Sequence, residues 1–172
     1  FIRKNRQTAR ASQQLGETKE SLDRAQRIAH MGNWDWQIGE NRLFWSEGIY
    51  RLFGVSPGEF GASYEAFMAR VHPADRNAVE AAVLRALESG TSYDIDHRIV
   101  RPDGAVRIVH ESAEVLLDTQ GRPIRMIGTV QDVTAWKQAE QALQEKDAHL
   151  EYVAYHDALT GLPNRALLID RL

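Results

Sequence analysis

The sequence predicts an α+β domain with a five-stranded antiparallel sheet, helices on one face of that sheet, and a long helix before and after it. Two short strand-like segments come first, helical patterns follow, and three segments of alternating apolar and polar residues close the domain. Segments rich in Ala, Gln, Glu and Leu flank this part on both sides. The expected boundaries are 1–30 for the first helix, 31–134 for the domain, 135–156 for the second helix and 157–172 for the start of another domain.

Composition limits the classes of function. The 172 residues carry a net charge of −3 with acids and bases interspersed, so we expect no nucleic-acid partner. The absence of cysteine excludes disulfides and thiolate metal sites, and it fits a reducing compartment. No apolar run approaches the length of about 18 residues that a membrane helix needs.

The first residues allow two interpretations. Phe1 and Ile2 are followed by a basic cluster at 3–6, as on the cytoplasmic flank of a membrane helix. The alternative is a cut within an ordinary linker. We therefore expect a cytoplasmic domain, and one of the two interpretations tethers the full-length protein to the inner membrane.

The first helix carries a seam of small and apolar residues. Alternating steps of four and three residues are the a/d spacing of a coiled coil, which predicts a parallel homodimer. The alternative is a single amphipathic helix that packs against the outside of the sheet. The seam consists of Ala11, Leu15, Thr18, Leu22, Ala25 and Ala29.

The first two strands and a short helix follow. Trp34 and Trp36 alternate with polar residues, so both indoles point to one face of the first strand. A second strand is predicted for Arg42–Trp45. Ser46 is then in the position of an N-cap for a short helix, and Gly54 supplies a left-handed residue where that helix ends.

The middle of the domain is helical. An apolar face over 64–71 predicts a short helix that ends at Pro73, because the residue before proline disfavours helical dihedral angles. Pro73 is expected to begin a longer helix, with Asp75 in its first turn, where the helix dipole favours an anion. This helix would cover one face of the sheet.

Three strands close the domain, joined by turns at 101–104 and 118–121. His97 lies on the apolar face of the first of them, and a satisfied core histidine is the main interpretation. Asp94 and Asp96 lie on its other face, where a solvated edge explains them better than acid–base chemistry. Neither face of the last strand, 123–133, is fully polar, so we expect the first helix to cover its outer side.

The last strand runs into the second long helix without a loop. Thr134 is a predicted N-cap whose hydroxyl accepts the Lys137 amide, and Asp132 is expected to accept hydrogen bonds from amides or an Arg near 32–34. Because no flexible residue intervenes, Asp132, Thr134 and Trp136 are candidate signal-coupling residues. The helix continues with a second heptad seam formed by Trp136, Ala139, Leu143, Lys146, Leu150 and Val153.

The triplet D-V-T at 132–134 resembles the signature that closes many PAS sensor domains. Further motifs stand in the order of the PAS subfamily with a W-x-W opening: G-N-W-D-W at 32–36, F-W-S at 44–46, Y-R-L-F-G at 50–54, V-H-P-A-D-R at 71–76, R-I-V-R-P-D-G at 98–104 and G-R-P at 121–123. The resemblance implies the PAS fold and a sensory role. A small-molecule pocket would then lie between sheet and helices, with candidate lining residues Trp36, Phe53, Phe67, His97, Met126 and Val130.

The segment 157–165 resembles the D-x-L-T-G-L-x-N-R opening of a GGDEF domain, the diguanylate cyclase fold. This implies a bacterial parent protein that makes cyclic di-GMP from GTP, or descends from such proteins, and whose output domains work as dimers. A following phosphodiesterase domain is an open alternative. The signature loop of the cyclase lies beyond Leu172, and we predict no catalytic and no metal-binding residue in the chain.

Two functions stay open at this stage. One is a sensory and dimerisation module that regulates the downstream GGDEF domain, and the other is a ligand-free module that only holds the output domains in register. A haem or flavin sensor is a weaker third alternative, with His97 as the candidate haem ligand. The usual flavin photochemistry needs a cysteine near the ring, and the sequence has none.

Overall fold

The computed structural model describes residues 2–58, 61, 63–157, 160, 162 and 164, with side chains from residue 13 onward. The chain divides into two units, Phe1–Val133 and Thr134–Leu172. The first unit holds helices α1 (Ile2–Ile28), α2 (Glu47–Phe53), α3 (Tyr64–Arg70) and α4 (Arg76–Ser89), and strands β1 (Met31–Gln37), β2 (Arg42–Trp45), β3 (Tyr93–Val100), β4 (Val106–Leu117) and β5 (Pro123–Asp132).

The five strands form one antiparallel sheet in the order β2-β1-β5-β4-β3. The first and last strands of the domain are therefore neighbours in its middle, and they pair from Met31 with Gln131 to Gln37 with Arg125. This confirms the predicted α+β class and the five-stranded antiparallel sheet. The pairing also brings the two ends of the domain to one corner of the sheet.

The two faces of the sheet differ sharply. The inner face packs against α2, α3 and α4 around a core that includes Ile49, Phe53 and Ile99. The outer face carries a cross-strand ion pair between Arg125 and Asp35, and a contact of His110 Nδ1 with Asp96 Oδ1 at 2.7 Å. Burying this apolar core provides the main stabilisation of the domain.

Helix α1 does not cover the outer face. Leu15 and Leu22 on α1 are 72% and 57% exposed, and Ile127 on the outer face is 37% exposed. The expectation that α1 packs over the last strand is therefore wrong. The Arg125–Asp35 ion pair on this face explains the difference, because covering an ion pair removes solvation that its attraction does not fully replace.

Two helix starts differ from the sequence prediction. The Ser46 side chain makes no capping bond to α2, because its Oγ instead accepts the Asn33 amide at 3.0 Å and extends the β1–β2 pairing by one residue. Helix α4 begins at Arg76, after Pro73, and Asp75 occupies the N-cap position. Asp75 does not cap α4, because its carboxylate is held by Arg98. The predicted left-handed residue Gly54 is confirmed, with φ of 69°.

The second unit begins with helix α5 (Thr134–Tyr155). Beyond this helix, the Thr160 amide and hydroxyl both donate to Asp157 Oδ1 at 2.9 Å. The Asn164 side chain donates to the Ala154 carbonyl at 2.8 Å. The remaining residues of the GGDEF-like motif, 158, 159, 161, 163 and 165, lie outside the described residues.

No helix in the described part of the chain combines the length and the hydropathy that crossing a membrane requires. Within the same residues, no group of three or more His, Asp and Glu side chains is arranged to hold a metal ion.

Candidate functional site

An aromatic cleft lies between the inner face of the sheet and the helices α2, α3 and α4. Its free space is about 430 Å³ when the part open to solvent is included, but a water-sized sphere can move within only about 30 Å³ of it. That is room for one or two water molecules. The cleft is lined by Trp34, Trp36, Leu43, Trp45, Ile49, Phe53, Tyr64, Phe67, Val83, Tyr93, Glu111 and Met126.

The six predicted pocket residues separate into two groups. Trp36, Phe53, Phe67 and Met126 line the cleft. His97 and Val130 are buried on the inner face but do not line it. Strand periodicity finds the inner face, whereas the position of the cleft along each strand depends on the helices above it.

Stacked rings form the wall of the cleft beside α3. The rings of Trp36 and Tyr64 lie parallel, with centroids 5.0 Å apart. The indole N–H of Trp36 donates to Asn41 Oδ1 at 3.1 Å, and the Asn41 amide donates to both carboxylate oxygens of Glu65. This chain of hydrogen bonds fixes one wall of the cleft to α3.

A buried carboxyl group forms the floor of the cleft. Glu111 on β4 is 3% exposed, and the only partner seen for its carboxyl among the described residues is the hydroxyl of Tyr93, which donates to Oε2 at 3.0 Å. Burial raises the pKa of Glu111 to about 8, against the lowering effect of that hydrogen bond. Burial and the nearby Glu111 also raise the pKa of Tyr93. Glu111 is therefore mostly protonated at neutral pH.

The alternation of residues along β4 contains a signal for Glu111. Residues Val109, Glu111 and Ala113 alternate onto the inner face of β4, so a glutamate occupies an otherwise apolar row. An unpaired acid in such a row is expected to be neutral or to bind a ligand. The hydrogen bond of Tyr93 to Glu111 depends on the β3–β4 register, which local sequence patterns do not give.

A second polar group of the cleft has no partner in the described part of the chain. Trp34 is 8% exposed, and its indole Nε1 makes no hydrogen bond there. The ring passes over Gly128 of β5, where an added Cβ would stand 2.7 Å from Trp34 Cζ2 and 2.6 Å from the Ser112 carbonyl oxygen. Gly128 is thus required for Trp34 to lie flat against the sheet.

His97 is a core residue of a different kind from the one predicted. It is 3% exposed, its ring meets Phe67 edge-on with centroids 5.9 Å apart, and neither ring nitrogen has a partner among the described residues. Burial lowers its pKa to about 4, so the imidazole is neutral at pH 7. The expectation of a hydrogen-bonded histidine is wrong because its strand neighbours on this face are apolar.

The three candidate coupling residues lie where β5 ends and α5 begins. The Asp132 amide donates to the His30 carbonyl at 3.1 Å, which joins the end of β5 to the residue before β1. Thr134 is 7% exposed and is the first residue of α5, whereas Trp136 is 60% exposed. The predicted bonds of the Asp132 carboxylate and of the Thr134 hydroxyl stay predictions.

Comparison with known proteins places this geometry in a family. The sequence is similar to the sensor protein FixL of Bradyrhizobium diazoefficiens, with 29% identity over 81% of this chain and 26% of that protein. It is also similar to the probable diguanylate cyclase DgcE of Escherichia coli, with 27% identity over 85% of this chain and 13% of that protein. The chain thus spans about a quarter or less of these curated relatives.

A solved structure supports the same assignment. A sensory box histidine kinase/response regulator from Burkholderia thailandensis superimposes with a TM-score of 0.64 and 28% identity, covering 76% of this chain and 97% of that one. The family description "PAS fold" matches residues 42–130, more than half of the chain. The inner-face cleft, the five-stranded sheet and these matches together show that the chain belongs to the PAS fold family and contains a PAS sensor domain of the kind found in signalling kinases and diguanylate cyclases.

Proposed function

We propose that this chain is the sensory and dimerisation module that regulates a downstream GGDEF domain in cyclic di-GMP signalling. Helix α5 carries this proposal, because large apolar side chains on its heptad seam are exposed. Leu143 and Leu150 are 61% and 57% exposed, and Trp136 and Val153 lie on the same seam at 60% and 49%. A helix with such a seam gains stability by pairing with a second copy.

The turn after α5 supports a role in transmission. Thr160 donates hydrogen bonds to Asp157, and Asn164 donates to carbonyl groups of the last turn of α5. These three residues belong to the motif that resembles a GGDEF opening. Such contacts would couple rotation of α5 to the next domain, whereas a flexible linker would not.

The aromatic cleft is the proposed input site. Its walls are aromatic, and two of its polar groups lack a charged or acceptor partner among the described residues, namely the indole N–H of Trp34 and the protonated carboxyl of Glu111. Both groups are hydrogen-bond donors. The occupant whose chemistry matches them is a small, largely apolar molecule bearing a hydrogen-bond acceptor such as a carbonyl oxygen, and its entry requires the side chains of the narrow cleft to move apart.

The residues of the cleft do not fit haem or flavin. The candidate haem ligand His97 does not line the cleft, and the narrow free space takes one or two water molecules rather than a cofactor ring. The chain also lacks the cysteine that the usual flavin photochemistry requires.

The narrowness of the cleft favours a second candidate function. If its side chains stay where they are, the domain has a filled core and serves as a ligand-free module that holds output domains in register. Native mass spectrometry of the purified chain separates the two functions. A dimer with a bound small molecule supports the sensor, and a dimer at the bare mass supports the structural module.

Insertions into α5 test the regulatory proposal in the full-length protein. Each added residue rotates the helix by about 100°. Seven residues inserted after Leu143 restore the seam and four nearly do so, whereas two turn the following segment to the opposite face. We expect cyclic di-GMP production to be retained with seven residues and largely retained with four.

The two-residue insertion is the informative variant, and the seven-residue insertion is its matched control for added length. We expect the shorter insertion to disrupt the pairing of the output domains and to lower production strongly. Equal production from all three variants would show that α5 is a passive tether. Dimerisation of each variant is measured in parallel by sedimentation.

A further inference from the structure

A second cavity of about 450 Å³ lies at the corner of the sheet where α1 ends and β5 ends. It is separate from the aromatic cleft and shares no lining residue with it. We call it the arginine cavity because four arginines from four different segments line it, namely Arg27, Arg51, Arg101 and Arg107. The other lining residues are Gln26, His30, Met31, Gly48, Leu52 and Asp132.

The charges around the arginine cavity do not balance. Four arginines face one aspartate, Asp132. Arg51 is partly neutralised by Glu47, whose carboxylate lies 3.3 Å from its Nη1. Arg27 and Arg51 also line a smaller neighbouring cavity together with Glu20, Asp23 and Glu47. The uncompensated positive charge is therefore concentrated on Arg101 and Arg107, which take part in none of the ion pairs of the described residues.

Arg101 is held in place by its surroundings. Its guanidinium lies against Gly54, where an added Cβ would stand 2.7 Å from Arg101 Nε and 2.8 Å from Nη2. Gly54 has a φ of 69°, so its left-handed backbone and its missing side chain together make room for this guanidinium. The Nε atom is buried and has no hydrogen-bond partner within the described residues.

Because Nε is buried, a ligand in the cavity would contact the Nη atoms of this guanidinium. A guanidinium that is fixed before binding also loses little side-chain entropy when a ligand arrives. Arg101 therefore has the properties of a preformed ligand-binding group rather than of a mobile surface charge. Its position is decided by Gly54, far from it in sequence.

We propose that the arginine cavity binds a small metabolite through a phosphoryl group, with Arg101 and Arg107 as the main binding residues. Two guanidinium groups match an oxyanion that carries two negative charges and several acceptor oxygens. The volume is within the range of about 300–1,000 Å³ of small-molecule sites, larger than orthophosphate alone requires. The site goes beyond the sensory function proposed for the cleft and does not depend on it.

The location gives such a ligand a regulatory consequence. Arg27 lies near the end of α1, Arg51 on α2, and Arg101 and Arg107 on either side of the β3–β4 turn. A bound oxyanion joins these segments beside Asp132, two residues before α5 begins. The negative charge of Asp132 repels an anionic ligand. Ligand binding and the contacts of this aspartate therefore weaken each other.

The experiment measures binding of orthophosphate and of ribose 5-phosphate by calorimetry at constant ionic strength set with potassium chloride. We expect the phosphate ester to bind more tightly than orthophosphate. Arg101→Ala and Arg107→Ala should each lower affinity about tenfold or more, since each removes a charge-assisted contact to the ligand. Arg101→Lys keeps the charge but lacks the planar guanidinium with its fixed N–H donors, so it should lose part of the affinity.

Two controls make the result specific. Arg85→Ala removes the same charge from the exposed surface of α4 and should leave affinity unchanged. Asp132→Asn should raise affinity, because it removes the opposing charge from the cavity. Equal losses of ligand affinity in Arg85→Ala and Arg107→Ala would show nonspecific charge screening and overturn the proposal. Unchanged affinity in both Arg101→Ala and Arg107→Ala, with intact circular dichroism spectra, would also overturn it.

Discussion

Two carboxyl groups of this domain show opposite responses to folding. Asp75 lies at the rim of the sheet, where Arg98 donates to it from its backbone amide and Nε at 2.9 Å and from Nη2 at 2.6 Å. These hydrogen bonds hold the pKa of Asp75 at about 2. Glu111 lies in the aromatic cleft with one neutral partner, Tyr93, and burial raises its pKa to about 8.

Burial raises the pKa of both carboxyl groups, and only the charged Arg98 donates hydrogen bonds strong enough to reverse the sign, which the neutral Tyr93 hydroxyl does not. Asp75 stabilises the fold when it is ionised, because the folded state prefers its charged form. Ionised Glu111 destabilises the fold, because its charge is buried without a cation. The Asp75–Arg98 pair therefore stabilises the fold, whereas Glu111 is a buried carboxyl without a cation, to which a ligand in the cleft could hydrogen-bond.

The largest expected effect tests how tightly the inner face is packed. Gly128→Val should lower the free energy of unfolding by about 3 kcal/mol, because its side chain would displace Trp34 and approach the Ser112 carbonyl. Thr129→Val is the matched control, since Thr129 is exposed on the outer face one residue further along β5. Urea denaturation measures both. Similar stabilities for the two variants would show that the cleft tolerates extra volume.

The second prediction uses the pH dependence of stability. The carboxyl of Glu111 titrates near its ordinary pKa of 4.5 in the unfolded chain and near 8 in the folded domain, so its ionisation destabilises the fold progressively between these values. His97 acts in the opposite direction between about 4 and 6.5, because its neutral form is favoured by folding. The two contributions oppose each other below pH 6.5, and the effect of Glu111 remains alone from 6.5 to 8.

We therefore expect the free energy of unfolding to fall from pH 6.5 to 8 by up to about 1.4 kcal/mol per pH unit. Glu111→Gln keeps the shape and the Tyr93 contact but cannot ionise, so it should remove this slope. His97→Gln should leave the slope above pH 6.5 unchanged and serves as the control. An unaltered slope in Glu111→Gln would contradict the assignment of a buried neutral carboxyl.

The smallest expected effect concerns the rim. Asp75→Asn should lower the free energy of unfolding at pH 7 by about 1.5 kcal/mol, at the low end for charged hydrogen bonds because the Arg98 side chain is 43% exposed. The contribution of Asp75 is present above pH 3.8 and disappears as the pH falls towards 2. Thermal denaturation at several pH values measures both effects.

Asp118→Asn provides the comparison for the rim. Asp118 also pairs with an arginine, Arg122, at 2.8 Å, but the pair joins neighbouring residues of one turn. We expect Asp118→Asn to lower the free energy of unfolding less than Asp75→Asn does, because the Asp75–Arg98 pair connects the start of α4 to β3. A larger loss in Asp118→Asn would mean that turn geometry, rather than the link between elements, dominates the stability of the rim.

Local sequence patterns predicted most of the helices and strands and the two faces of the strands. Alternation assigned Trp34 and Trp36 to one face of the first strand and His97 to the apolar face of a later one, because side chains of a strand point to opposite sides in turn. The motifs that resemble PAS domains indicated the order of the elements. These signals are local, so they are readable from neighbouring residues alone.

Which of those residues are in contact depends on how the strands pair and how the helices pack on the sheet. The pairing of β1 with β5 places Trp34 over Gly128, and the register of β3 with β4 brings Tyr93 to Glu111. The helices above the sheet then leave His97 outside the cleft. The arginine cavity likewise gathers Arg27, Arg51, Arg101 and Arg107 from distant segments. Such sites depend on contacts between residues far apart in the chain, and no local pattern encodes them.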